Sequence, residues 1–119
     1  GDFDIAVSGT ESTSTPRRFR IYKNNGNATF DSNEIEPEPN WGVRDSSIAW
    51  GDYDNDGDLD LAIAGYDGSI RCSKIYRNDK GSFVDINAGL IGVDDCALSW
   101  GDYDNDGDLD LGVFGGGYR

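Results

Sequence analysis

A stretch of twelve residues occurs twice in this chain and constrains its fold more than any other feature. Residues 50–61 and 100–111 both read WGDYDNDGDLDL, and the second copy begins 50 positions after the first. An internal repeat of this kind predicts tandem copies of one supersecondary unit, because each copy buries its apolar face against its neighbours.

The repeats carry short segments in which large apolar residues alternate with small ones. This period of two predicts strands at Ser47–Asp52 and Leu59–Gly65, followed by strands at 73–77 and 82–86. The second face of these strands carries Ala and Gly rather than charged residues, which indicates packing on both faces. Four short strands in each repeat are typical of a β-propeller blade.

The predicted fold class is therefore all-β, with no helix. We expect blades of four antiparallel strands, about two of them plus an extra strand. The alternative is a β-sandwich that contains a duplicated hairpin.

The similarity between repeats extends beyond the twelve identical residues. Segment 21–24 (IYKN) matches 75–78 (IYRN), and segment 1–7 (GDFDIAV) matches 57–63 (GDLDLAI). We therefore expect one propeller-type domain or fragment that begins and ends within a repeat. Its expected parts are residues 1–56, a partial blade with strands two to four plus the first strand of the next blade; 57–106, a second repeat unit; and 107–119, the start of a third.

Incomplete repeats at both ends predict that something else completes them. Further repeats of a longer chain, or further copies of this one, would supply the missing strands in a ring or in a filament.

The Asp-rich loop within each repeat predicts a calcium site. Asp occupies every second position, and a Gly at the sixth position permits a sharp turn. Ca²⁺ takes six to eight oxygen ligands, whereas Mg²⁺ demands a compact octahedron and keeps its waters. The expected ligands are Asp52, Asp54, Asp56, Asp58 and Asp60, and Asp102, Asp104, Asp106, Asp108 and Asp110, with Asp58 and Asp108 acting through their backbone carbonyls.

The same loop differs from an EF-hand, because strands flank it and its last acid lies at position nine instead of twelve. A plain hairpin turn is the alternative, but it needs one Asp-Gly step and not five acids. Near the N-terminus, Asp2 and Asp4 match positions seven and nine of the loop and predict part of a third metal site.

Together, the loop and the strands around it resemble the FG-GAP/VCBS repeat family, whose calcium-loop blades are similar to those of integrin α-subunits. The motifs that carry the resemblance are WGDYDNDGDLDL and the strand [KR]-I-Y-[KR]-N. The resemblance implies a propeller of about seven or eight blades in a secreted or cell-surface protein. It also implies Ca²⁺ binding and a role in adhesion or ligand binding rather than catalysis.

Composition narrows the function further. The net charge of −13 argues against nucleic acid, because phosphate binding needs clustered Lys and Arg. The chain has no His and no nucleophile beside a recognisable base, so we do not expect an enzyme. No apolar run approaches the roughly 18 residues that would span a bilayer.

The expected function is a non-catalytic extracellular module that joins further repeats or copies in a structural or adhesive surface protein or filament. The alternative is a glycan- or protein-recognition module within a closed propeller.

Two cysteines and one glycosylation acceptor fit an extracellular location. Cys72 and Cys96 lie near the starts of two strands, at the predicted end opposite the calcium loops, so a disulfide is expected. Two free thiols are the alternative. Asn27 begins an Asn-Ala-Thr triplet in a predicted turn and is a candidate for N-glycosylation.

The three tryptophans have different expected roles. Trp50 and Trp100 precede the two loops and are expected in the core between blades. Trp41 lies beside a Pro-containing insertion at 34–40, where it either contacts a sugar or partner or anchors its own loop.

Overall fold

The computed structural model describes residues 3–10, 17–31 and 34–116. In these ranges the chain forms strands and no helix, as the sequence predicts. The strands in chain order are β1 (Ile5–Thr10), β2 (Arg17–Tyr22), β3 (Arg44–Gly51), β4 (Asp60–Tyr66), β5 (Arg71–Asp79), β6 (Ser82–Asp85), β7 (Asp94–Gly101) and β8 (Asp110–Gly116). Nothing in the described ranges has the helical length and apolar character needed to cross a bilayer.

The strands form three antiparallel sheets. The middle sheet has the order β3-β4-β5-β6, and it is flanked in sequence by the pairs β1-β2 and β7-β8. Each strand of the middle sheet pairs with its neighbour in the chain, which is the meander of a propeller blade. The all-β fold of blade-like repeats is thereby confirmed.

The outer sheets repeat parts of the middle one. Leu61 pairs with Tyr76 in the middle sheet, and Ile5 pairs with Tyr22 in the first, at the corresponding positions. Ile35 forms an isolated bridge to β2, where a fourth strand would lie in a complete blade. In the third sheet β7 and β8 repeat the register of β3 and β4.

Strand boundaries differ from the prediction mainly at the start of β3. The strand begins at Arg44, three residues before the predicted Ser47, and its register shifts between these two positions. Asp45 in the shift has φ of 50°, and Asp95 at the same point of β7 has φ of 46°. A bulge adds residues that break the period of two, so the alternation signal begins only after it.

The core lies between the first and middle sheets. It is built from large apolar side chains that are buried: Phe19, Ile21, Val43, Leu61, Ile63 and Tyr76. On the opposite face of β4, Ala62 and Ala64 are also fully buried, and the thiol of Cys96 lies 3.5 Å from the Ala64 carbonyl oxygen. Both faces of β4 are therefore covered, as the small residues on its second face predict.

The insertion at 34–40 is held against this core. Glu38 accepts hydrogen bonds from Lys74 Nζ at 2.9 Å and from the Tyr76 hydroxyl at 2.8 Å. Burial, with the nearby Glu38 carboxylate, raises the pKa of Tyr76 far above its usual range. Trp41 packs edge-on against Phe19, and Lys74 Nζ lies 4.0 Å above its ring. Of its two expected roles, the structure favours Trp41 as an anchor of its loop.

Candidate metal centre

The first Asp-rich loop connects β3 to β4 and is closed by hydrogen bonds from its own backbone. The carboxylate of Asp52 accepts from the N–H groups of Asp56 at 3.1 Å and Gly57 at 2.9 Å. Two positive φ angles, 58° at Asn55 and 92° at Gly57, turn the chain back on itself. Asn and Gly are the residues that adopt this conformation most readily, so the local sequence favours the turn.

The second loop, between β7 and β8, has the same geometry. Asp102 accepts from Asp106 N–H at 3.1 Å and from Gly107 N–H at 2.8 Å. The φ angles of Asn105 and Gly107 are 57° and 94°. The identical sequence therefore closes in the same way in two different sheets.

Each closed loop gathers three carboxylates. One oxygen from each of Asp52, Asp54 and Asp56 lies within 4.8 Å of the others, and the second loop gathers Asp102, Asp104 and Asp106 in the same way. Such hard oxygen donors suit Ca²⁺, which completes its six to eight ligands with carbonyl and water oxygens. The residues present thus fit the cation that the sequence predicts.

Unequal surroundings act on the carboxyls of the two loops. Partial desolvation, with the neighbouring charges of Asp60 and Asp56, raises the pKa of Asp54. In the second loop, the N–H donated by Gly107 lowers the pKa of Asp102. Desolvation and neighbouring carboxylates thus disfavour the charged form of Asp54, whereas backbone donation favours the charged form of Asp102.

The ninth position of the loop is held by backbone donors instead of joining the cluster. Asp60 is fully buried, and its two oxygens accept from Asn78 N–H at 2.8 Å and Tyr53 N–H at 3.1 Å. Burial raises the pKa of Asp60 against the opposing effect of these bonds. Asp110 accepts from Tyr103 N–H at 3.1 Å. A ligand role for Asp60 and Asp110 stays a prediction.

The seventh position turns its side chain to different partners in the two loops. Asp58 accepts from the backbone N–H of Lys80 at 3.1 Å, whereas Asp108 accepts from the side-chain amide of Asn55 at 2.9 Å. Both side chains are thus engaged outside their own clusters, which agrees with the expectation that only their carbonyls face a cation. That carbonyl role is itself untested.

The half-loop near the N-terminus keeps two hydrogen bonds of the complete first loop. Asp4 accepts from Asn24 N–H at 2.8 Å, and the Asn24 side chain donates to the Phe3 carbonyl at 2.9 Å. Asn78 makes the same two bonds, to Asp60 and to the Leu59 carbonyl. Asp4 therefore occupies the structural place of Asp60, while Asp2 lies outside the described residues.

The predictions from the sequence do not include the role of these two asparagines. Asn24 and Asn78 lie in the repeated IY[KR]N strand, and each fixes the acid at the ninth loop position. The signal was available in the sequence, because IYKN and IYRN each follow a matching Asp at a similar distance.

Trp100 occupies the junction between blades, as expected. Its indole N–H donates to the Ala49 carbonyl at 3.1 Å, and its ring stacks on Tyr53 at 5.9 Å between centroids. Trp50 packs against the core between the first and middle sheets, as expected. It also contacts Phe83 of its own sheet edge-on and lines a cavity of about 390 Å³ with Phe3.

Both cysteines carry free thiols in the structure. Cys72 lies 3.4 Å from an Asp67 carboxylate oxygen, and burial together with this carboxylate raises the pKa of Cys72 to about 11. Cys72 pairs with Gly65 across the strands, and Cys96 contacts the adjacent Ala64, so both lie at the same end of β4 as expected. A disulfide between them stays a prediction.

Asn27 is exposed in the turn that follows β2. A hydrogen bond from Asn25 N–H to the Thr29 carbonyl, at 2.9 Å, closes this turn around it. The site is accessible, and its glycosylation stays a prediction.

The fold and the acidic loops together define a protein built from tandem blade-like repeats. A profile of FG-GAP-like repeats matches residues 1–63 and 52–113, and the chain belongs to this family. Repeats of this family are generally non-catalytic, occur in extracellular proteins and often bind Ca²⁺. No curated protein and no solved structure showed a significant match to the chain.

Proposed function

We propose that this chain is a non-catalytic calcium-binding propeller module of an extracellular protein, which joins further repeats or copies as a structural or adhesive component. The observation that carries the proposal is the pair of carboxylate clusters, each within 4.8 Å and each formed by an identical loop. A single acidic turn arises easily by chance, whereas two identical loops closed by the same hydrogen bonds support a shared role in binding a cation.

A structural role for calcium follows from the position of each loop. The first loop joins β3 to β4 and the second joins β7 to β8, so each ion would hold the first hairpin of a blade. Each loop carries five Asp, and two Ca²⁺ ions, with four positive charges, would bring the net charge from −13 to −9. The cation would thus remove repulsion that otherwise opposes loop closure.

Assembly is supported by the outer strands. β1 corresponds to β4, which pairs on both edges, yet within the described ranges β1 pairs only with β2. On β1 the side chains of Ile5 and Val7 are exposed, and so is Phe114 on β8. Unpaired edges beside exposed apolar residues favour the addition of further strands. We propose the divisions 1–56, 57–106 and 107–119 as the units that are joined.

Calcium removal gives the largest expected effect on stability. A cation at about 100 times its Kd stabilises each site by about 2.7 kcal/mol, so two sites correspond to a Tm difference of about 10 °C or more. We expect EDTA to lower Tm by this amount and excess Ca²⁺ to restore it, as measured by circular dichroism.

Isothermal titration supplies the stoichiometry for the same preparation. Two Ca²⁺ per chain are expected, with much weaker binding of Mg²⁺ as the control. An unchanged Tm in EDTA, together with no heat of Ca²⁺ binding, would rule out the calcium role. Negative-stain microscopy then tests assembly: rings or fibres support it, and monomers at every concentration contradict it.

A further inference from the structure

Although the two loops are separate in sequence, they touch each other. We infer that the two calcium sites are coupled, so that occupation of either loop strengthens binding in the other. The inference rests on the proposed function, because it concerns how the two proposed sites regulate each other. The contact that carries it joins Asn55 of the first loop to Asp108 of the second.

The position of Asn55 depends on whether its own loop is closed. It lies between two members of the first carboxylate cluster, Asp54 and Asp56, and its φ of 58° belongs to the closed turn. From this position its side-chain amide donates to Asp108 across a sequence separation of 53 residues, with an N···O distance of 2.9 Å. If the first loop opens, the backbone that presents this amide moves with it.

Asp108 is equally close to the second cluster. Its own N–H donates to the carboxylate of Asp106, a member of that cluster, at 2.9 Å. A hydrogen bond that holds the Asp108 side chain therefore also helps to hold Asp106. A cation that orders either loop therefore favours the contact, and the contact favours the closed form of the other loop.

A second contact joins the bases of the loops. The ring of Tyr53 lies nearly parallel to that of Trp100, with 9° between their planes. Gly51 makes this approach feasible, because a Cβ at that position would lie 2.6 Å from the indole ring. The two loops thus share a packed aromatic support in addition to the hydrogen bond.

Two opposing effects decide the sign of the coupling. An ion in one loop reduces the negative charge that attracts the second ion, which opposes joint binding. This effect is long-range and is screened over about 8 Å at physiological ionic strength. Shared ordering acts through direct contact and is not screened, because the first ion fixes groups that the second would otherwise have to order. We therefore expect positive coupling at 0.15 M salt, of equal size in both directions.

The first test compares matched substitutions in the identical loops. Asn55→Gly removes the amide and keeps the positive φ without strain, and Asn105→Gly makes the same change at φ of 57° in the second loop. By calorimetric titration of Ca²⁺ into the 119-residue chain, we expect the second step to be about three- to tenfold tighter than independent sites allow. Asn55→Gly should abolish the extra affinity of the second binding step, and Asn105→Gly should preserve it.

The second test empties one loop. In an Asp56→Ala variant the remaining loop should bind Ca²⁺ about three- to tenfold more weakly than it does beside an occupied neighbour. Adding Asn55→Gly to this variant should not weaken Ca²⁺ binding by the second loop any further, because the first loop is already empty. Trp100 fluorescence gives a second readout of the contact between the loops, because its ring lies on Tyr53.

The outcomes separate the coupling from the function on which it rests. Two independent, equal binding steps in the wild type, unchanged by Asn55→Gly, would overturn the coupling and leave calcium binding intact. The same holds if Asn55→Gly and Asn105→Gly alter binding equally. No binding by the wild type would overturn both proposals at once.

Discussion

The middle and third sheets contain the same twelve-residue motif in two different environments. In both, the first Asp closes the loop onto two backbone N–H groups, and the bond lengths agree within about 0.1 Å. Yet Asp60 and Leu61 are 0% exposed, whereas Asp110 and Leu111 are only partly buried. The difference shows that the motif itself determines loop closure, whereas the surrounding strands determine how deeply the motif is buried.

The neighbours responsible are the later strands of the middle sheet. Asn78 and Lys80, at the end of β5 and in the turn after it, donate to Asp60 and Asp58. Tyr53 rests on Trp100, while Tyr103 at the same position of the second loop is 83% exposed. The motif of the middle sheet is therefore integrated into the core, and its copy stands at the margin of the described fold.

A matched pair of leucines gives the largest contrast between the two copies. Leu61→Ala should destabilise the chain by about 2–5 kcal/mol, since it opens a cavity in the core. Leu111→Ala should cost about 1 kcal/mol, because this side chain is already partly in solvent. Urea unfolding with Ca²⁺ present measures both, and equal losses would show that the third sheet is as well packed as the middle one.

The buried acid of the middle sheet gives the next contrast. Asp60→Ala leaves the N–H groups of Tyr53 and Asn78 without an acceptor and should cost about 2–3 kcal/mol. Asp110→Ala removes the acceptor of Tyr103 N–H at a less buried position and should cost about half as much or less. Unfolding in EDTA isolates this effect from any role as a metal ligand. A larger loss for Asp110→Ala would contradict the comparison.

Two glycines test the contact between the sheets. A Cβ at Gly51 would meet the Trp100 ring at 2.6 Å, whereas a Cβ at Gly101 would meet nothing within 4 Å. We expect Gly51→Ala to destabilise by about 1–3 kcal/mol through overpacking. Gly101→Ala should stay within about 0.5 kcal/mol of wild type. If Gly51→Ala is also neutral, the third sheet is free to move away from the middle one.

The two cysteine thiols, one in each sheet, are expected to differ in their rate of alkylation, which is the smallest of the predicted effects. Cys72 in the middle sheet is buried with a pKa of about 11, so little thiolate forms near pH 8, and alkylation should accelerate steadily up to pH 10. Cys96, partly exposed in the third sheet, should react with iodoacetamide first. Mass spectrometry of the labelled peptides measures both rates. Labelling of neither thiol until a reductant is added would indicate the predicted disulfide.

Much of the fold could be predicted because its signals are local. Alternation of large and small residues predicts β3 and β4, the turn at 78–81 separates β5 from β6, and the 50-residue repeat indicates the blade. The predicted start of β3 is three residues too late, since the bulge at Asp45 interrupts the alternation on which the prediction depends. Within the loop, three of the five expected acids gather in each cluster. Asp60 accepts instead from the backbone N–H groups of Tyr53 and of Asn78, which lies 18 residues away.

The sequence by itself determined the closed loop, because the hydrogen bonds within it span at most seven residues and its positive φ angles fall on Asn and Gly. It therefore also determined that both copies gather their carboxylates in the same way. Only the tertiary structure decided which copy is buried and that Asn55 reaches Asp108. Those features arise from packing between sheets, and two identical segments carry no information about which neighbours the rest of the chain brings to them.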